Sequence, residues 1–308
     1  MAELAIDFHT HLLEKGVKPK AYWKAVKARK LGAIAITEHS YEKPGLAYEM
    51  LFEEKPKGIA LIPGMEITSE AGHMLVLGKD QGIYDLEKLF GKKVLVKDAL
   101  ELAKKHGFLL GISHPWGFSN DSAAFILGEK KLNALVEKEK IGVEAFNGMF
   151  GNVGSFFYST SWVKKPMNFF DFLEKSRIGR KTRLSRLGAK GKEKLDKKGR
   201  EIIERGIKPF ELAQKAAFIT AGSDAHNPQA IGSGIVKLEV KGKAGPEGIL
   251  EALQDKGNVK WAGPYVRETK QGISFDRITF RKKDVLSGIK YAAKSKIAGK
   301  VRGKRANS

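Results

Sequence analysis

Short apolar runs alternate with amphipathic segments along most of the chain. The runs predict strands over residues 3–8, 33–37, 59–62, 73–77, 108–113, 141–146 and 217–222, with 233–238 as a candidate eighth. Apolar residues at helical spacing predict helices over 19–31, 97–106, 209–216 and 246–256. This alternation is typical of parallel α/β architecture, and seven or eight units in about 250 residues fit a closed barrel. We therefore predict a distorted TIM-like (β/α)7 barrel.

Two stretches break this rhythm. Residues 150–208 contain no clear strand, and a long insertion between strands is usually functional. Residues 281–308 begin with a helical pattern and continue as a polar, basic tail. We expect a barrel domain over 1–280, with the basic insertion at 150–208, followed by a basic C-terminal helix or tail over 281–308.

The net charge of +21 is concentrated in the same two stretches. Residues 163–208 contain 16 Lys and Arg against 6 Asp and Glu, and residues 281–308 contain 10 against 1. Clustered basic charge indicates a polyanionic partner, and the aromatic residues just before the first cluster favour single-stranded nucleic acid. A solvated lysine-rich surface is the alternative. The candidate contacts are Lys164, Lys165, Arg177, Arg180, Lys181, Arg183 and Arg186.

The absence of cysteine excludes disulfides, thiolate metal sites and a cysteine nucleophile. Any metal must be held by His, Asp and Glu, which favours zinc, manganese, iron or magnesium. The first residues lack the layout of a secretory signal, and no apolar run reaches the roughly 18 residues of a spanning helix. We expect a cytoplasmic protein with no membrane partner, and its oligomeric state stays open.

Six of the seven histidines lie at or next to predicted strand ends. The motifs are DFHTH at 7–11, TEH at 37–39, GME at 64–66, HMLVLG at 73–78, SHP at 113–115 and SDAH at 223–226. The carboxyl ends of parallel strands share one face of a barrel, so these side chains should converge. His73 fits less well because it begins its strand. His106 lies in the last turn of a helix before Gly107, and we interpret it as structural.

The motif order resembles the PHP (polymerase and histidinol phosphatase) family of metal-dependent phosphoesterases, from residue 4 to about residue 235. The resemblance implies a distorted barrel with two or three divalent ions. His9, His11, Glu66 and Asp224 would hold the first ion; Glu66 and His114 the second; His39 and His226 the third; His73 would join the second or third. Two departures concern the third ion. Thr-Glu-His replaces the usual Thr-Asp-His, and only Glu14, at shifted spacing, replaces an Asp or His after the first motif.

By this resemblance, the chain would hydrolyse phosphate esters of nucleotides or nucleic-acid ends through a metal-activated hydroxide. The activity would be that of a 5′-3′ exonuclease or a 3′,5′-bisphosphonucleoside phosphatase, with Asp224, His226 and His39 as catalytic residues. Alternatives are a non-catalytic nucleic-acid-binding protein and a phosphatase of small substrates such as histidinol phosphate. An amidohydrolase would need a metal-bridging lysine, which no predicted strand end between 37 and 146 offers.

Two further polar residues leave alternatives open. Asp7 could orient a ligand histidine or simply cap its strand end. Asn147 could face the mouth of the site or form a turn.

Overall fold

The computed structural model describes residues 2–91, 93–151, 161–175, 184–242, 244–263, 266–269 and 272–275. The strands are β1 (Ala2–Asp7), β2 (Ala33–Ile36), β3 (Ala60–Ser69), β4 (Gly72–Leu77), β5 (Leu109–Ile112), β6 (Gly142–Asn147), β7 (Ile219–Gly222), β8 (Ile235–Val240), β9 (Val259–Gly263), β10 (Val266–Thr269) and β11 (Gly272–Phe275). The helices are α1 (Pro19–Ala28), α2 (Pro44–Glu53), α3 (Val96–His106), α4 (Ala123–Leu127), α5 (Glu129–Glu139), α6 (Ser161–Lys175), α7 (Leu184–Ala213) and α8 (Pro246–Gln254).

The main sheet is mixed and nearly closed, in the order β7-β6-β5-β4-β3-β2-β1-β8-β9. The predicted barrel-like α/β fold is confirmed, but the expectation of parallel strands throughout was wrong. β4 runs antiparallel to both β3 and β5, and β8 is antiparallel to both β1 and β9. Only Glu70 and Ala71 separate β3 from β4, which is too short for the crossover that parallel strands require.

The chain just after β1 closes the barrel. Phe8 N donates to Ala221 O at 3.2 Å, and Asp224 N donates to His9 O at 2.8 Å. β1 thus pairs with β8 along its length, and its continuation pairs with the end of β7. This closure places the first histidine motif beside the last one, although more than 200 residues separate them.

Gly222 is the residue that permits this close approach. A Cβ atom at Gly222 would lie 2.2 Å from Cβ of His9 and 2.7 Å from its backbone nitrogen. Real side chains do not tolerate such distances, so either the strand end or His9 would have to move. A glycine is therefore required where β7 meets the first motif.

Most of the described residues of the insertion are helical, since they belong to α6 and α7. The helix predicted to begin at Pro209 was wrong: α7 starts at Leu184 and continues through Pro209. Proline at a first helical turn is common, which is why the sequence suggested a start there. The C-terminal turn of α7 is held by packing, because Leu212 and Ala213 are buried in the core.

Several predicted features fall outside the described residues. They include the tail over 281–308 and four of the candidate basic contacts, Arg177, Arg180, Lys181 and Arg183. Lys164 and Lys165 belong to α6, but their side chains are not described. Arg186 lies exposed on α7. None of the helices in the described parts of the chain is long and apolar enough to cross a membrane.

Candidate metal centre

The predicted ligands converge at one rim of the barrel. Three groups of side chains have ligand atoms within 4.8 Å of one another: His9, His11 and Glu66; His39, Glu66 and His73; and His11, Glu14, His39 and His226. His114 and Asp224 contact members of these groups directly. All nine predicted ligands therefore lie in one cluster, which is almost entirely buried.

The first set of ligand atoms surrounds Nε2 of His9 and His11. These two nitrogens are 3.2 Å apart, and Oδ1 of Asp224 lies 3.7 Å from the first and 3.3 Å from the second. Oε2 of Glu66 lies 3.5 Å and 3.7 Å from the same nitrogens. Bonds of about 2.1 Å in a tetrahedral zinc site would separate ligand atoms by roughly 3.4 Å. The spacing therefore fits a divalent ion.

Glu66 is the centre of the cluster. Its Oε1 lies 2.9 Å from Nε2 of His114 and 3.1 Å from Nδ1 of His73, and it accepts a hydrogen bond from Ser113 Oγ at 2.9 Å. Its Oε2 lies 3.0 Å from Nδ1 of His39 as well as near the first set. A carboxylate whose two oxygens face separate sets of imidazole nitrogens has the arrangement of a bridging ligand.

The third group includes Glu14. Oε2 of Glu14 lies 2.5 Å from Nε2 of His226 and 3.7 Å from Nε2 of His39. Glu14 Oε2 and His39 Nδ1 are buried but form no well-oriented hydrogen bond within the described residues. A buried polar atom without a hydrogen bond lowers the stability of the fold. Here such atoms lie among imidazole nitrogens and carboxylate oxygens, which is an environment that fits a bound cation. The shifted spacing of Glu14 still allows it to reach this group.

His73 reaches the rim because β4 is antiparallel. An antiparallel strand begins at the edge where its neighbours end, so the first residues of β4 lie beside the carboxyl ends of β3 and β5. The apparent misfit of His73 came from assuming a parallel strand. His106, in contrast, is exposed at the end of α3, as predicted.

A second layer of carboxylates orients the histidine rings. Glu144 Oε1 lies 3.0 Å from Nδ1 of His9, and Glu38 Oε1 lies 3.3 Å from Nδ1 of His11. With Nδ1 engaged, Nε2 of each ring is directed towards the centre, as in carboxylate–histidine–metal arrangements. Sequence reasoning missed Glu144, although an acidic residue inside the apolar strand β6 was the available signal.

The structure decides between the alternatives for Asp7 and Asn147. Asp7 accepts hydrogen bonds from the backbone nitrogens of His9, Ser223 and Gly232, so it ties backbone segments together and does not contact a ligand ring. Asn147 serves both functions. Its Nδ2 donates to Glu144 and Asp224, and its Oδ1 accepts from the backbone nitrogen of Met149 in the helical turn that follows β6.

Two of the ligands have unusual backbone conformations. Asp224 has φ of 51° and His114 has φ of 27°, a region that residues other than glycine rarely adopt. His114 N is held by Glu144 Oε2 at 2.7 Å, and Asp224 N by His9 O at 2.8 Å. Such strain persists where the surroundings enforce it, and it is concentrated at functional sites.

The cluster of carboxylates controls the pKa values of the histidines. Burial by itself lowers the pKa of His11, but hydrogen bonds with Asp224 and Glu38 raise it to about 10. Burial likewise opposes protonation of His114, yet Glu66 raises its pKa to about 9. Burial raises the pKa of Glu66, but the surrounding histidines hold it well below its usual value. The buried carboxylates are thus stabilised by nearby positive charge, which either protons on the histidines or metal ions can supply.

One family model matches a short part of the chain. A family model described as PHP-associated (PHP_C) matches residues 213–256, which include Asp224 and His226. This match supports a PHP-domain family. No curated protein sequence matches the chain closely enough to count as a relative.

Two solved structures resemble this chain remotely. One, from Bacteroides vulgatus ATCC 8482, is a two-domain protein containing a predicted PHP-like metal-dependent phosphoesterase. It is 20% identical in sequence, with a TM-score of 0.48, and the match covers 93% of this chain and 69% of the Bacteroides chain. The other, from Bifidobacterium adolescentis ATCC 15703, carries a provisional name as a metal-dependent phosphoesterase, with 12% identity and a TM-score of 0.38 over 73% and 88%. The functional proposal rests on the site and not on these two likenesses.

Proposed function

We propose that this chain is a metal-dependent phosphoesterase that acts on phosphate esters of nucleotides or of nucleic-acid ends. The observation that carries the proposal is the convergence of three overlapping ligand groups, two of which share Glu66. Imidazole and carboxylate donors in such a cluster suit two or three divalent ions, with zinc, manganese, iron and magnesium as candidates. When bound, such ions polarise phosphoryl oxygens and lower the pKa of a coordinated water.

The protein's own residues have distinct tasks in this proposal. Glu144 and Glu38 hold the rings of His9 and His11 in one orientation. Asp224 is fixed by its strained backbone and by Asn147, so its carboxylate oxygen stays beside both rings. Preorganised donors of this kind need little rearrangement when the substrate's charge changes during reaction.

The outer edge of the cluster is where a leaving group would accept a proton. His226 and His73 are among the more exposed ligands, with 10% and 15% of their side chains accessible. His226 lies next to Glu14, while burial lowers the pKa of His39. His226, at this edge, and His39, buried near the same Glu14 oxygen, are the two candidates for the general acid. The lowered pKa of His39 favours His226 as the proton donor.

Tyr41 favours a substrate that contains a ring. Its side chain stacks on His39, with centroids 4.9 Å apart and planes inclined by 10°, and 52% of the residue is exposed. A half-exposed ring beside the cluster offers a stacking surface for a nucleobase. Replacing Tyr41 by alanine should therefore raise KM for a nucleotide while leaving hydrolysis of glycerol phosphate nearly unchanged.

Hydrolysis assays with three substrates test the proposal. The protein, supplied with manganese or zinc, is incubated with an aryl phosphate, a 3′,5′-bisphosphonucleotide and single-stranded DNA or RNA. We expect release of phosphate or nucleotide from at least one nucleotide substrate, and loss of that activity after treatment with EDTA. Failure to hydrolyse any of the three with either metal would refute the enzymatic proposal.

A further inference from the structure

α6 and α7 form a tightly packed antiparallel hairpin, called here the insertion hairpin (α6 and α7). Two glycines of α7 allow the close contact: a Cβ at Gly188 would lie 2.8 Å from Phe170 O, and one at Gly191 would lie 2.5 Å from the Phe170 ring. Phe170 and Leu173 therefore face α7. Only one side of α6 takes part in this packing.

Large apolar side chains cover part of the outward surface. Phe169 is 57% exposed, Phe172 64% and Leu187 58%. Phe169 and Phe172 are three residues apart, so they are neighbours on the same side of α6. Helical periodicity places Leu187 on the corresponding side of α7, given that Gly188 and Gly191 face α6. Neighbouring exposed aromatic and aliphatic groups on a helix pair are typical of an interaction surface.

The same side of the hairpin is positively charged. Lys190 and Lys194 follow Leu187 at helical spacing and are exposed. Neither has a carboxylate at ion-pair distance within the described residues. The acidic residues of α6 are already engaged, because Lys192 lies 2.6 Å from Asp171 and 3.9 Å from Glu174. This surface, defined by Phe169, Phe172, Leu187, Lys190 and Lys194, is called here the hairpin flank.

We propose that the hairpin flank binds single-stranded nucleic acid. Phosphates would contact Lys190 and Lys194, and bases would stack on Phe169 and Phe172, a combination used by proteins that bind single strands. Bases paired inside a duplex cannot stack in this way, so a duplex should bind more weakly.

The position of the hairpin in the chain favours a nucleic acid over an anionic membrane. It is inserted between β6 and β7, and the last residue of β6, Asn147, contacts Asp224 of the metal centre. Phe150, just after β6, contacts the His114 ring with centroids 5.5 Å apart. The insertion therefore begins beside the cluster, and in this proposal a strand bound to the flank would run towards it. This part of the inference rests on the proposed function, since the bound strand would be the substrate.

Fluorescence anisotropy with metal-loaded protein and a labelled single-stranded oligonucleotide, carrying phosphorothioate linkages to slow hydrolysis, tests the flank directly. The double variant Phe169→Ala and Phe172→Ala should weaken binding about tenfold or more, given the usual contribution of a stacked base. The double variant Lys190→Gln and Lys194→Gln should weaken binding and reduce the salt dependence by about 1.4 in slope, for two lost phosphate contacts. Matched controls are Phe52→Ala with Phe125→Ala, and Lys104→Gln with Lys138→Gln, which alter exposed residues elsewhere and should leave affinity unchanged.

Unchanged affinity in the phenylalanine variant would overturn the proposal. Equal affinity for a duplex of the same length, or binding of phosphatidylserine vesicles without binding of the oligonucleotide, would also overturn it. Hydrolysis of the aryl phosphate, the 3′,5′-bisphosphonucleotide and a single strand, measured separately with manganese or zinc, tells the two proposals apart. Flank-dependent binding without hydrolysis would refute only the enzymatic function, whereas hydrolysis without oligonucleotide binding would refute only the flank.

Discussion

At the scale of single residues, the carboxylates behind the ligands are as informative as the ligands themselves. Glu144 contacts the His9 ring, the His114 backbone and the Asn147 side chain. It therefore connects three parts of the site while lying outside the three ligand groups. Its assignment as an orienting residue can be tested apart from activity.

Glu144→Gln should lower zinc affinity by about 10- to 100-fold, as is usual for partners of a metal-binding histidine. The cause is the loss of the negative charge that fixes the His9 ring. Competition with a coloured chelator measures the affinity. Glu101→Gln, an exposed residue paired only with Lys97 in the described contacts, is the matched control. Equal zinc affinity in Glu144→Gln and wild type would show that Glu144 does not orient a metal ligand.

The histidine pKa values predict a strong pH dependence of metal binding. His11, with a pKa of about 10, and His114, at about 9, must each lose a proton when they become ligands. Metal affinity should therefore rise between pH 7 and pH 9, by roughly tenfold per pH unit for each displaced proton. Calorimetry in buffers of different ionisation enthalpy should detect proton release, and its absence would contradict these assignments.

The same values predict how stability changes with pH. A histidine whose folded-state pKa is raised stabilises the fold fully below its unfolded pKa, about 6.5, and this contribution is lost as pH rises through the folded value. The Tm of EDTA-treated protein should thus fall from pH 8 to pH 10 relative to desalted, metal-loaded protein. Lysines lose protons in both samples, so their effect on the difference in Tm cancels. A constant difference in Tm over this range would contradict the prediction.

At the scale of elements, the pairing between the chain just after β1 and the end of β7 brings the first and last histidine motifs together. Gly222→Ala would force Cβ against His9, and overpacking of this kind costs about 1–3 kcal/mol. We expect a lower free energy of unfolding and reduced metal content. Gly91→Ala is the control, since Gly91 is exposed and a Cβ there would make only ordinary contacts, the nearest at 3.8 Å. Wild-type stability and metal content in Gly222→Ala would show that the close approach is unimportant.

The positions of β1 to β8 could be predicted from the sequence because their apolar runs are compact, but the extension of β3 to Ser69 and the strands β9, β10 and β11 were missed. The direction of β4 could not be predicted by assuming one repeated unit, since it depends on the short turn at Glu70 and Ala71. The boundary of α7 was missed because packing of Leu212 and Ala213 outweighs the local signal of Pro209. Glu144 was missed because its partners lie far away in sequence, where a single chain offers no periodic signal.

At the scale of the whole molecule, charge is divided between two regions. The metal centre gathers buried carboxylates, while the basic residues are concentrated in the insertion and the C-terminal stretch. A polyanionic substrate would be repelled by bare carboxylates and attracted by the basic regions. Bound divalent ions would reverse the charge at the centre, so both regions would then attract phosphate.

The central claim is a cluster that holds more than one metal ion. Elemental analysis of the protein after loading with manganese or zinc and desalting tests it most directly. The account predicts two or three ions per chain in wild type and a clear reduction in Asp224→Ala, whose carboxylate lies beside both His9 and His11. Fewer than two ions per chain in the folded wild-type protein would contradict it.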